Sequence, residues 1–179
     1  LHARNQIEYF GRDPFANHPG IRLLDENGDL KPEVLEILDL IKEYDATIAT
    51  GHISIGESIA VCNAARERGV RTVLTHPDWT CTTVPADVQT QLVKKGVILE
   101  KLWFDIGINH VTAEYMAQTI RDAGVENCFM ATDRGQSGKE YPVEGLMMFM
   151  DAMLDCGFSV EEIHIMTHEN PERVLGLRP

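Results

Sequence analysis

No surplus of basic residues, no closely paired cysteines and no long apolar run occurs in this sequence of 179 residues. Lys and Arg number 16 against 28 Asp and Glu, a formal charge of −12, and no stretch gathers the bases on one face. Such a balance repels a phosphate backbone or an anionic bilayer, so neither nucleic acid nor membrane is expected as a partner. The four cysteines, Cys62, Cys81, Cys128 and Cys156, are far apart and form no C-x-x-C pair. With no signal-peptide pattern at the start, reduced thiols and a cytoplasmic location are expected. No apolar run approaches the roughly 20 residues that span a bilayer. The glycine loops of nucleotide sites are missing, as are the G-x-S-x-G elbow and any Cys-His thiol motif.

What is present is the composition of a soluble globular protein, 44% apolar and 25% charged, long enough for one domain with a real core. Residues 1–30 read as a loop-rich lead-in, with Asp13-Pro14, Pro19-Gly20 and Asn27-Gly28 as turn formers and a small hairpin beginning at Ile21 to Leu24. From Pro32 a repeating grammar begins. Val34, Ile37, Leu38 and Ile41 mark a helix over 32–44, and Ala46 to Thr50 a strand. Ser54 and Glu57 have capping-box spacing for a helix that runs to Arg68. Strands follow at Thr72–Thr75, Val97–Phe104 and Cys128–Thr132, separated by helices of about 86–95 and from Ala113 to Gly124. Leu146, Phe149, Met150, Met153 and Leu154 form a buried helix face, Ser159 opens another helix, and Asn170-Pro171 starts a short last one.

Strands alternating with helices of this length predict α/β architecture built from parallel β-α units, in one domain over 1–179 with the regular array at 31–179. The same grammar also suits an open, doubly wound sheet. In parallel folds the residues just after the strands face the ligand. Here those residues include His52 in TGHIS, His76 in THPDW and Asp133 in TDRGQ. Two imidazoles and a carboxylate are the donor types that hold Zn2+ or a similar ion with a position left open. The structural alternative, that each is a strand-end residue bonded to backbone, weighs less for three together than for one alone.

Glu57 reads first as the cap of its helix, with a supporting bond to a liganding imidazole as the second choice. Glu100, flanked by Leu99 and Leu102, is either a site residue or half of a salt bridge. Arg134 and Gln136 follow Asp133 in a loop bordering the expected pocket and are candidates for gripping substrate. Asp78 and Trp79 occupy the corresponding loop after His76. His164 and His168, four apart on a helix, read as structural or solvent-facing, and His2, His18 and His110 stay unassigned.

TGHIS, VLTHP, ATDRGQ and the closing NPERVLGL together resemble the second half of the amidohydrolase superfamily, in a poorly characterised amidohydrolase-like branch. The resemblance runs from about Pro32 to Leu177. It implies half of a (β/α)8 TIM barrel, strands five to eight, with His52, His76 and Asp133 as ligands of a divalent metal, zinc by preference. It further implies hydrolysis of a C–N or C–O bond of a small molecule by metal-activated water, with Asp133 as general acid–base and His76 touching substrate. The HxH pair of the superfamily's first strand is absent from this sequence, and Leu1 rather than Met stands first, so a missing N-terminal half or a homo-oligomer is expected to complete the barrel. The competing functions are a non-catalytic metal-binding or assembly domain and a barrel phosphoesterase.

Overall fold

The computed structural model describes residues 21–79, 82–107 and 111–177. His2, His18, His110, Cys81 and most of the lead-in lie outside the described residues. The array is α/β and begins with α1, Pro32–Glu43, followed by β1, Thr47–Ala49, and α2, Ile55–Glu67. Then come β2, Arg71–Leu74, α3, Ala86–Val93, and β3, Ile98–Leu102. A 3-10 turn at Trp103–Asp105 leads through α4, Ala113–Ala123, to β4, Cys128–Ala131. The chain closes with α5, Pro142–Asp155, α6, Val160–His164, a π-helical turn at Ile165–Glu169, and α7, Asn170–Val174. The small lead-in hairpin is present as a single antiparallel bridge between Leu24 and Leu30.

All four strands are parallel, in the order β1-β2-β3-β4. A doubly wound sheet reverses its strand order at a switch point, and this one does not. Crossovers of one hand between successive parallel neighbours place their connecting helices on one face of a sheet. The core sits there: Leu74, Leu99, Cys128 and Met130 of the strands pack with Leu92, Met116, Ile120, Phe149 and Met153 of the helices. Alternation along a strand turns Ile98, Glu100 and Leu102 to the other face. Among the described residues β1 pairs only with β2 and β4 only with β3, so both outer edges lack a strand partner.

Local chemistry fixes the elements. The Ser54 hydroxyl accepts from the Glu57 N–H, and the Glu57 carboxylate accepts from the Ser54 N–H, which makes the expected capping box. Ser54→Ala is expected to cost about 1 kcal/mol, read as a lowered urea midpoint at unchanged m-value. At the far end of the chain, the Asn170 amide donates to the carbonyls of Val125 and Cys128 at 2.7 and 2.6 Å, and the Thr47 hydroxyl donates to the Val174 carbonyl. The α7 segment of the NPERVLGL motif thus ties the starts of β1 and β4 together, at the rim opposite the strand ends.

Burial pushes the thiols of Cys62 and Cys128 up to about 12, so both remain protonated and inert at neutral pH. Native protein at neutral pH is expected to leave these two cysteines unlabelled by a thiol reagent and to expose them in denaturant. Prompt native labelling of either would contradict the packing described.

Candidate functional site

The site is built where β1, β2 and β4 end. After β1 the Thr50 hydroxyl accepts from the Thr75 N–H at 3.0 Å, clamping the two strand ends together. Gly51, at φ +63°, then turns the chain so that His52 follows at the rim. Two residues past the ends of β2 and β4, His76 and Asp133 adopt φ of +48° and +47°. Left-handed backbone in a non-glycine residue costs roughly 1–3 kcal/mol and persists where surrounding structure enforces it. It occurs at two corresponding strand ends here, and also at Asp45 ahead of β1, with φ +49°.

Of the three side chains expected to act together, His76 stands beside each of the other two. The rings of His52 and His76 are 5.1 Å apart, and His76 Nε2 is 3.3 Å from Asp133 Oδ2. His76 is 3% exposed, whereas the Asp133 side chain is 46% exposed. Trp79 meets the His52 ring edge-on at 5.3 Å, and Phe104 meets the His76 ring edge-on at 6.1 Å, so aromatic walls fix the planes of both imidazoles. Among the described residues no group of three or more His, Cys, Asp or Glu already encloses a point at metal-ligand distances. The direct contact is His76 with Asp133, and His52 stands beside it.

Below them lies an acidic pair. Asp105, from the 3-10 turn, places Oδ1 3.1 Å from His76 Nδ1 and is 1% exposed. Burial, reinforced by the charge of Asp78, raises its carboxyl above the ordinary range despite the bond to His76. Glu100 is raised too, first by burial and then by the charges of Asp133 and Asp105, with His76 opposing. Burial pulls the His76 imidazole down, yet the bond to Asp105 and the charges of Asp105, Asp133 and Glu100 outweigh it, and the ring stands above its ordinary value. Three carboxylates therefore crowd one imidazole.

The remaining candidates separate clearly. Glu57 spends one oxygen on the Leu23 N–H at 2.9 Å and the other on the Ser54 hydroxyl at 2.7 Å, so it caps α2 and holds the lead-in. Glu100 makes no ion pair with Lys or Arg among the described residues and belongs to the acidic group around His76. Arg134 donates through Nε to Glu140 at 2.5 Å, with its guanidinium 5.6 Å from the Phe104 ring centre. The Trp103 indole shares that carboxylate, and Arg134 with Trp103 holds the Glu140 carboxyl down at about 2. Gln136 is exposed and donates to the Asp133 carbonyl at 2.8 Å, which braces the turn carrying Asp133.

Asp78 turns away from the rim. It is buried against Lys101 Nζ at 2.7 Å, with both side chains at 0% exposure. His164 and His168 do share one helix face, with rings 4.9 Å apart and side chains 57% and 52% exposed, well away in sequence from the strand ends.

Asp105 was the residue missed. Its signal was present, because it directly follows the strand expected over Val97–Phe104 just as His76 follows Thr72–Thr75 and Asp133 follows Cys128–Thr132.

Fold and site define a singly wound parallel β-α protein with a histidine and carboxylate cluster at the C-terminal rim of its sheet. The family of unknown function DUF6282 matches residues 1–100, more than half of the chain, and the protein belongs to that family. The matched part carries His52, His76 and Glu100, and Asp105 and Asp133 lie beyond it. No curated protein and no solved structure matches the chain.

Proposed function

We propose that this chain is the metal-carrying half of an amidohydrolase-like barrel, acting as a metal-dependent hydrolase of a C–N or C–O bond in a small molecule. One observation carries the reading: at one rim, built from three strand ends, His76 stands beside both His52 and Asp133, with Asp105 and Glu100 close to it. His52 and His76 would hold the ion through neutral ring nitrogens and Asp133 through its carboxylate. The donor set, two imidazoles and a carboxylate, suits zinc, and the nearby Glu100 and Asp105 add the negative field a cation offsets. A divalent ion bound there supplies Lewis acidity and lowers the pKa of water.

This chain's own residues do the rest. Asp133 is exposed enough to exchange a proton with a bound molecule while keeping one oxygen on the His76 side, the posture of a general acid–base. Trp79 and Phe104 exclude water from the buried flank of the imidazoles. Strands against the open edges of β1 and β4 would complete a barrel, and either an N-terminal half-barrel or a second copy of the chain would supply them.

Metal analysis of gently purified protein, followed by panels of amides, lactones and phosphate esters, tests the proposal. Stoichiometric zinc with amide or lactone turnover supports it. Retained metal without turnover would make the chain a binding or assembly domain, an alternative favoured by its supplying only three of the expected donors. Turnover confined to phosphate esters would make it a phosphoesterase, and absence of metal would end the reading.

A further inference from the structure

Asp105 makes a contact that neither packing nor surface solubility requires. It is 1% exposed at the end of the turn after β3, one oxygen lies 3.1 Å from His76 Nδ1, and the other has no hydrogen-bond partner among the described residues. Burying a carboxylate on such terms is costly, and an apolar side chain would fill the place at less cost. The imidazole is already fixed in plane, since Trp79 and Phe104 stand 5.3 and 6.1 Å from its ring centre and the Thr82 hydroxyl donates to its backbone carbonyl. What packing leaves undecided is which ring nitrogen keeps the proton.

We propose that Asp105 is the positioning residue of His76: it accepts the Nδ1–H and so holds the neutral imidazole with Nε2 bare, facing Asp133 and the place of a divalent ion. A neutral imidazole has one N–H, and the stronger acceptor decides where it sits. The competing acceptor is Asp133, at 3.3 Å from Nε2 with a side chain 46% exposed, while Asp105 is at 3.1 Å with a side chain 0% exposed. A charge screened by water attracts a proton less than one held in the interior. Asp105 therefore prevails. The inference rests on the hydrolase reading for its ion, whereas the bond between the two side chains stands independently of it.

Asp105→Asn is the informative variant, because the amide matches the carboxylate in size and can donate to Nδ1, driving the proton onto Nε2. Two readouts on the full chain are needed. Ring 1H–15N correlation spectra of metal-free protein at alkaline pH should show His76 protonated at Nδ1, and at Nε2 in Asp105→Asn. Competition against a chromophoric chelator should show zinc bound about 10- to 100-fold more weakly by the variant. Asp105→Ala should fall in the same range where it folds, and thermal unfolding checks that both variants do.

A variant that loses thermal stability but keeps the Nδ1–H form would overturn the proposal, as would weaker zinc binding with an unchanged ring. Should the parent chain bind no zinc, the hydrolase reading fails, and the ring spectra still decide Asp105 by themselves. An unchanged tautomer sinks it, and a switched one upholds it.

Discussion

His76→Ala is expected to weaken zinc binding by more than about a hundredfold while leaving the sheet intact. Structural zinc sites bind with roughly 10–16 kcal/mol over four ligands, about 3 kcal/mol each, and that converts to a factor above about 100 in affinity. The loss should exceed that share, because His76 connects the ion's place to both Asp105 and Asp133, at 3.1 and 3.3 Å. Its removal leaves Asp105 buried without the imidazole it bonds. His52→Ala removes one ligand and should cost about a single such share. Chelator competition on the two variants gives the ordering. Equal, undiminished affinity in both would mean that the ion is held elsewhere or not at all.

The second large effect lies one layer beneath the rim. Lys101 is 0% exposed and donates to Asp78 at 2.7 Å, to Gln89 at 2.9 Å and to Thr119 at 3.0 Å, so its three protons are all used. The Gln89 amide in turn donates to Asp78 Oδ1 at 3.1 Å and to the Val84 carbonyl at 2.8 Å. Lys101→Met leaves the Asp78 charge buried and uncompensated, which costs about 3–5 kcal/mol, a large part of the roughly 5–15 kcal/mol that holds a domain together. Adding Asp78→Leu removes the stranded charge and should recover most of that loss. Urea denaturation of the single and double variants measures both. If Lys101→Met costs under about 1 kcal/mol, the ammonium is not desolvated as the structure has it.

Much of this was legible in the chain itself, for a physical reason. Helix periodicity, the Ser54–Glu57 box and the apolar strand runs are local, and local signals survive in a sequence read alone. The rule that residues after parallel strands face the ligand then found His52, His76 and Asp133. Applied to β3 as read through Phe104, the same rule also reaches Asp105, the next residue. The strand was read through to Phe104, though it ends at Leu102 and the chain turns there into a 3-10 segment, with the Phe104 N–H donating to the Thr132 carbonyl.

Other features depend on partners distant in sequence. Nothing near Asp78 reveals that Lys101 reaches it from the next strand, so the loop after His76 suggested a rim residue where the fold buries an ion pair. Nor does the sequence show the left-handed backbone of His76 and Asp133, since neither is a glycine and the conformation is imposed by the surrounding strand ends. Arg134 reads in sequence as a candidate for gripping substrate, and the structure engages it with Glu140, six residues on.

A single ion shared by side chains from three strand ends underlies the proposed chemistry. Anomalous diffraction at the zinc edge from zinc-soaked crystals locates that ion without reference to activity. The expected result is a peak between His52, His76 and Asp133, lost in His76→Ala. A peak confined to the exposed His164–His168 pair, with none at the strand ends, would contradict the central claim.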